Sequence, residues 1–185
     1  MSHDEGNNEL VKFRSVVLGS VQRVFDEGRH GEDLMPVAFI LSRALLPQAR
    51  CLSGQEREMR IVPIDRYFSS DTGKNKLMVD LGRIAGFPAC LGIAIVSEIW
   101  VAKVARLEDV GTTPISQRGD RTEAVMVRVE VRGSEVEVWI APISVNPDGT
   151  RALAEFKSMP SEGGRMAEAL FPENRPKVAH AHHVC

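Results

Sequence analysis

The sequence has few cysteines, no long apolar run and almost no excess charge of either sign. Its three cysteines are an odd number, and none lies in a C-x-x-C pair: Cys51, Cys90 and Cys185. This pattern excludes a disulfide framework and favours a reducing compartment, so we expect a cytoplasmic protein. No apolar run approaches the ~20 residues of a membrane-spanning helix, and the polar, acidic N-terminus does not predict a signal peptide.

The charges nearly cancel, with 23 Lys and Arg against 25 Asp and Glu and a formal net charge of -2. Such a balance gives no overall field that attracts a polyanion, so nucleic acid is not an expected partner. The length of 185 residues and the hydrophobic fraction of 43% suit one globular domain. We expect that domain at residues 8–159, after a disordered segment 1–7 and before a polar, flexible tail at 160–185.

The stretch from Glu123 to Lys157 predicts a three-stranded antiparallel meander. Its first strand shows the period-two pattern of a half-buried strand, with four valines on one face: Val125, Val127, Val129 and Val131. The Gly133-Ser134 pair that follows fits a two-residue type II′ hairpin, because Gly accepts a positive φ. This hairpin predicts that Val129 pairs with Val138.

The second turn of the meander is predicted at Asn146-Pro147-Asp148-Gly149, as a type I turn with a Gly bulge. On the face opposite the valines, the resulting register places Trp139 between Arg128 and Lys157. A Trp flanked by cations can stack a nucleotide ring. It can equally form a cation–π ladder on the surface, or be covered by a helix or a second subunit.

Two helices are predicted outside the meander, from about Asn8 to Glu27 and from Ser70 to the residues before Gly86. Three further apolar runs predict strands: Pro36–Leu41, Ile61–Ile64 at an edge, and Ala89–Val104. Together these elements predict an α+β fold. It is a mostly antiparallel sheet of about five strands, including the C-terminal meander, with two main helices packed on one face. The other face of such a sheet needs a partner, and a homo-oligomer supplies one.

Glu98 lies within the most apolar run, on the same face as Trp100. Burying a carboxylate costs several kcal/mol unless the carboxylate is paired, and Arg121 is a candidate partner because it precedes a neighbouring strand. One interpretation is a structural ion pair at the mouth of the strands. The other is a small-molecule or nucleotide-binding site with these contributors: Glu98, Arg121, Glu123, Arg128 and Trp139.

Two segments in the middle third of the chain carry a paired pattern, SE-x-W in Val96-Ser97-Glu98-Ile99-Trp100 and DR-x-EA in Asp120-Arg121-Thr122-Glu123-Ala124-Val125. They resemble a recurring pattern in small uncharacterised bacterial and phage proteins. The resemblance implies a bacterial or phage origin and no particular activity.

A metal-dependent nuclease is a further alternative, because Pro147-Asp148 and Glu155-Phe156-Lys157 read as a PD…ExK string. In that mechanism Asp148 and Glu155 hold Mg²⁺ and Lys157 orients the attacking water. A tight turn and a surface strand explain the same residues without any metal. The tail residues His180, His182, His183 and Cys185 are of types that bind metal, but a flexible tail fixes no geometry, so we expect no metal site and no cofactor.

The leading hypothesis is a non-enzymatic binding or assembly protein that self-associates through its sheet, with no catalytic residue. Trp100 and Trp139 are the expected contact anchors, because large aromatic side chains dominate interface energetics. The expected partner is a second copy of the chain, with a small molecule or another protein as alternatives.

Overall fold

The computed structural model describes residues 3–27, 33–43, 57–102, 115–159 and 169–174. The helices and strands, in chain order, are α1 (His3–Asp26), β1 (Val37–Arg43), β2 (Arg57–Pro63), α2 (Asp71–Ala85), β3 (Cys90–Val101), β4 (Thr122–Val131), β5 (Glu137–Val145), β6 (Arg151–Leu153) and β7 (Lys157–Met159). The strands form one antiparallel sheet in the order β2-β1-β3-β4-β5-β6, with β7 also beside β5. The α+β class is confirmed, with somewhat more strands than expected. Neither helix in these ranges combines the length and apolarity that crossing a bilayer requires.

The two helices lie on opposite faces of the sheet. Ala94 and Val96 of β3 pack in the core under α1, whereas Ile93 and Ile95 pack in the core under α2. Since consecutive strand residues point to opposite faces, each helix covers its own face. The expected placement of both helices on one face does not hold. Because β3 is apolar on both faces, its sequence shows no alternation that would indicate which helix covers which face.

Helix α1 begins at His3 rather than at Asn8, and its apolar stripe is buried against β3 and β4: Leu10, Phe13, Val17 and Val21. Gly92 lets α1 approach the sheet, because a Cβ there would lie 3.2 Å from the Phe13 ring and 3.1 Å from Val131. Helix α2 begins after Ser70, whose hydroxyl accepts a hydrogen bond from Gly73 N at 3.0 Å. Ser70 is therefore the N-cap residue of α2.

The β4–β5 hairpin differs from the predicted two-residue turn. Ser134 N donates to Val131 O at 3.0 Å and Gly133 has a φ of 79°, so Gly133 is the third residue of a turn that starts at Val131. Val129 consequently opposes Glu137, one residue away from the predicted partner. A shift of one residue exchanges the faces of every β5 side chain.

This shift places Trp139 on the valine face, opposite Val127 and half-buried against the core under α1. The Arg14 guanidinium lies 4.9 Å from the centroid of the Trp139 ring, and the indole N–H donates to Glu137 at 3.0 Å. The predicted position of Trp139 between Arg128 and Lys157 is therefore wrong. The cation that stacks on Trp139 is Arg14 of α1, and the spacing of residues within the meander does not reveal this contact.

The second turn is formed as predicted, with Gly149 N donating to Asn146 O at 2.9 Å and Gly149 at a φ of 82°. The strand after it is interrupted at residues 154–156, between β6 and β7. Beyond the interruption Ser158, rather than Lys157, opposes Trp139. The interruption thus adds a second one-residue shift within the meander.

Residues 169–174 lie in the region expected to be a flexible tail, yet they pack on the α2 face of the sheet. Leu170 and Phe171 are buried in the core under α2. Their backbone N–H groups donate to the two carboxylate oxygens of Glu130, at 2.8 and 3.0 Å. The histidine-rich end of the chain, together with Cys51 and Cys185, lies outside the described residues.

Candidate functional site

The Glu98 cluster is a compact group of charged side chains on the α1 face, near the ends of β3, β4 and β6. Arg151 donates to both carboxylate oxygens of Glu98, at 2.8 and 2.9 Å, and to Glu123 at 3.0 Å. Leu34 N also donates to Glu98, at 2.6 Å. The side chains of Arg151 and Glu98 are 7% and 17% exposed, so the pair is largely removed from water.

Register explains why these residues meet. Glu98 opposes Val125 of β4, and Arg151 opposes Val145 of β5, so both point to the face that α1 covers. The partner predicted from the sequence, Arg121, does not bind Glu98. Arg151 was missed because it directly follows a turn, where an arginine is ordinarily exposed. In the predicted register of the first hairpin, Val145 and its partner Arg151 fall on the face opposite the valines, so no sequence signal pairs Arg151 with Glu98.

Arg121 instead stacks on Trp100, with its guanidinium carbon 4.3 Å from the ring centroid. Trp100 is 40% exposed and opposes Glu123 across the β3–β4 pair. Glu98, Glu123, Arg121 and Trp100 therefore form one neighbourhood, joined by Arg151. The sequence grouped Glu98, Arg121 and Glu123, but it placed Arg128 and Trp139 with them and treated Trp100 only as an interface anchor.

The electrostatics of the cluster favour a structural ion pair over acid–base chemistry. The hydrogen bond from Arg151 to Glu98 raises the pKa of Arg151, against the opposing effect of burial, and the charges of Glu98 and Glu123 raise it further. A guanidinium with a raised pKa stays charged throughout the physiological range. The described residues contain no group of three or more His, Cys, Asp or Glu side chains arranged to hold a metal. The cluster therefore ties β6 and residues 33–34 to β3.

Arg128 lies on the other face of the sheet and is fully buried. It pairs with Glu130 at 2.8 Å, and neither side chain is exposed. Burial lowers the pKa of Arg128, while the Glu130 charge and hydrogen bond partly offset that effect. Glu130 also accepts from Asn174 at 2.9 Å. Arg128 therefore lies on the opposite face from the Glu98 cluster, and Trp139 contacts Arg14 and Glu137, so the five predicted residues do not form one ligand site.

The PD…ExK residues are not drawn together around a cation site. Asp148 accepts hydrogen bonds from the N–H and hydroxyl of Thr150, at 2.9 and 2.6 Å, inside its own turn. Glu155 is exposed between β6 and β7, and Lys157 is exposed opposite Ile140. The carboxylate of Asp148 therefore stabilises the turn.

A shallow depression of about 270 Å³ lies beside the start of α2, lined by Arg66, Tyr67, Gly73 and Lys76. The Arg66 guanidinium stacks on Tyr67 at 4.9 Å, and the Tyr67 hydroxyl donates to Asp80 at 3.0 Å. A Cβ at Gly73 would lie 2.5 Å from the carbonyl oxygen of Tyr67. Close packing against the Tyr67 backbone therefore accounts for a glycine at position 73.

Strand β2 forms one end of the sheet, and its outer edge meets no other strand among the described residues. Met59 and Ile61 are 39% and 56% exposed on the α1 face, and Val62 is exposed on the other face. An edge strand presents a row of N–H and C=O groups that can pair with another strand. Apolar side chains that flank such a row on both faces add an area that a partner can bury.

The orientation of the β2 backbone follows from one hydrogen bond. Ile64 N donates to Pro36 O at 2.9 Å, which continues the β1–β2 register by one pair. Directly opposed pairs alternate between hydrogen-bonded and non-hydrogen-bonded, so the even-numbered residues of β2 point their N–H and C=O groups at β1. The backbone groups of the four odd-numbered residues point outward: Arg57, Met59, Ile61 and Pro63. The missing N–H of Pro63 therefore removes no bond to β1.

Comparison with known proteins assigns no family to the chain. No protein-family model matches it, and no curated protein or solved structure is significantly similar to it. Function is therefore inferred from the chemistry of the described residues.

Proposed function

We propose that this chain is a non-enzymatic, cytoplasmic assembly protein that self-associates through the outer edge of β2. The observation that carries the proposal is the open edge itself. Seven residues of strand, Arg57–Pro63, end the sheet without a neighbour among the described residues, and nearly all of their side chains are exposed. Main-chain hydrogen bonds to an added strand would extend the sheet across two molecules.

The opposite end of the sheet supports the choice of β2. There β6 and β7 each contain three residues, and the chain between them breaks the ladder. Short, interrupted edges are one way in which proteins protect a sheet from pairing. The β2 edge is longer and unbroken over Met59–Val62, so it offers the better template for another strand.

The tryptophans expected as contact anchors lend less support to the proposal than β2 does. Trp139 is half-buried beneath Arg14, which leaves little of its ring for a partner. Trp100 keeps an exposed edge, but its face carries the Arg121 guanidinium. The apolar anchors of the proposed interface are therefore Met59 and Ile61.

Sedimentation velocity over a range of protein concentrations tests the proposal. The wild-type chain should form a species larger than a monomer, and Ile61→Lys should weaken it by placing a charge in the interface. Val79→Lys is the matched control, since Val79 is an apolar residue that is 55% exposed on α2 rather than on β2. A wild-type chain that remains monomeric at every concentration contradicts self-association. Equal loss of assembly in both variants contradicts the assignment to β2.

A second candidate function, small-molecule binding, has one observation in its favour. Trp100 is 40% exposed, carries the guanidinium of Arg121 on its ring and opposes Glu123 on the neighbouring strand. Such a group can hold a planar, charged molecule by stacking and hydrogen bonding. A thermal-shift screen of nucleotides and metabolites tests this, because a ligand that binds only the folded state raises the melting temperature. Loss of the shift in Trp100→Ala would assign the ligand to this ring.

A further inference from the structure

We infer that the strand added to β2 is the β2 strand of a second copy, antiparallel to the first, with the two-fold axis at Met59. This inference rests on the proposed self-association and specifies its geometry. In this register Met59 opposes Met59 of the second copy, Ile61 opposes Arg57, and Glu58 opposes Arg60. A two-fold contact of this kind uses the same surface on both copies and closes after two.

The backbone of β2 fits this register. Hydrogen-bonded pairs across the new interface require residues whose N–H and C=O groups point outward, as those of Met59 and Ile61 do. Moving the axis from Met59 to Arg60 would oppose Pro63 to Arg57, and Pro63 has no N–H to donate. The Met59 register leaves Pro63 beyond the paired segment, so no bond is lost there.

The side-chain charges select the same register. Glu58 and Arg60 lie on the α2 face, two residues apart, and already pair within the strand at 2.9 and 3.2 Å. About the Met59 axis, each Glu58 faces the Arg60 of the other copy, and the four charges alternate in sign. These two residues form non-hydrogen-bonded pairs across the interface, in which side chains approach more closely.

Neighbouring registers lose this charge complementarity. An axis at Arg60 would oppose the two Arg60 side chains, and an axis at Glu58 would oppose the two Glu58 side chains. Like charges directly opposite each other destabilise an antiparallel pair. The backbone hydrogen bonds and the side-chain charges therefore both favour a two-fold axis at Met59, and the two arguments rest on different atoms.

Charge reversal tests the register by sedimentation equilibrium. Glu58→Arg and Arg60→Glu should each raise the dimer dissociation constant about tenfold or more, because each opposes like charges at two symmetry-related positions. The double variant Glu58→Arg/Arg60→Glu restores opposite signs, so its dissociation constant should return to about that of the wild type. A double variant that is weaker than both single variants overturns the register.

Disulfide trapping locates the axis directly. In a chain with Cys51 and Cys185 changed to Ser, Met59→Cys should cross-link two copies, since directly opposed Cα atoms lie about 5.5 Å apart. Ile61→Cys is the control, because the two Ile61 positions are offset by four residues, roughly 13 Å along the strands, beyond disulfide reach. Cross-linking through position 61 and not 59 overturns the Met59 axis.

The outcomes separate the register from the proposed function. A dimer that Ile61→Lys disrupts, but that Met59→Cys does not trap, overturns the register and retains assembly through β2. A wild-type chain that is monomeric at every concentration overturns both. A mass that keeps growing with concentration overturns the closed two-fold contact, since open-ended assembly requires two different surfaces on each copy.

Discussion

Arg151 and Glu98 lie 53 positions apart in the chain, and their side chains form a two-point ion pair with N–O distances of 2.8 and 2.9 Å. Arg151 comes from the short strand after the second turn, and Glu98 comes from the central strand. The same carboxylate accepts the N–H of Leu34, so one residue of β3 holds two distant segments. Glu98 therefore ties β6 and residue 34 to the central strand.

Removing Arg151 should destabilise the fold. Arg151→Leu leaves the carboxylate of Glu98 largely buried with only Leu34 N to satisfy it, which we expect to lower the free energy of unfolding by about 2–4 kcal/mol. Arg83→Leu is the control, since Arg83 is exposed and its pair with Asp80 is a surface contact worth about 0–1 kcal/mol. Urea unfolding measures both variants. Equal urea midpoints for the two variants would contradict a stabilising role for the Arg151–Glu98 ion pair.

Replacing Glu130 should release residues 169–174 from the sheet. Glu130→Gln removes the charge that faces buried Arg128 and one acceptor for the N–H groups of Leu170 and Phe171, so we expect a loss of about 3–5 kcal/mol. Limited proteolysis should then cut the C-terminal segment faster than in the wild type. Glu135→Gln, at an exposed residue, should change neither quantity. Unchanged proteolysis in Glu130→Gln would count against the docked segment.

Two glycines should respond in opposite directions to the same substitution. Gly92→Ala forces a methyl group against Phe13 and Val131, and we expect it to lower the free energy of unfolding by about 1–3 kcal/mol. Gly19→Ala lies in the middle of α1, where a Cβ meets nothing within 4 Å, so it should raise stability by up to about 1 kcal/mol. Thermal unfolding of both variants checks the prediction. A stable Gly92→Ala would mean that α1 does not pack as closely as described.

The buried thiol of Cys90 should make stability fall at alkaline pH. Burial raises the pKa of Cys90 from 9.0 to about 11, so between these values the unfolded chain releases a proton that the folded chain retains. The free energy of unfolding should therefore be unaffected by this thiol well below pH 9. It should fall as the pH rises, by roughly 2 kcal/mol between pH 8 and pH 11. Comparing wild type with Cys90→Ala isolates this slope from other titrating groups. Parallel pH profiles for the two would contradict it.

The sequence predicted the elements of the fold better than their relative placement. Period-two valines, helical stripes and the Asn146–Gly149 turn are local patterns, and each appears where it was predicted. The first hairpin was misread because Gly133 satisfies two turn types that differ by one residue in register. That single residue decided which face Trp139 occupies.

The candidate site was predicted in part for a related reason. Glu98 had to find a cation, and the physical argument for that was sound, but several arginines were available. Choosing Arg151 over Arg121 requires knowing which face of the sheet Arg151 occupies, and that face depends on the β4–β5 register and on contacts far apart in the sequence. Glu130 lies on the face of β4 opposite the valines, as the period-two pattern of that strand requires. Its partners at residues 170 and 171 carry no pattern that links them to it.

Amide hydrogen exchange at β2, measured at several protein concentrations, tests the edge-to-edge account most directly. The N–H groups of Met59 and Ile61 point outward, whereas those of Arg60 and Val62 bond to β1. We predict that exchange at Met59 and Ile61 slows as concentration rises, while Arg60 and Val62 stay protected throughout. Fast exchange at Met59 and Ile61 at every concentration would contradict pairing through β2.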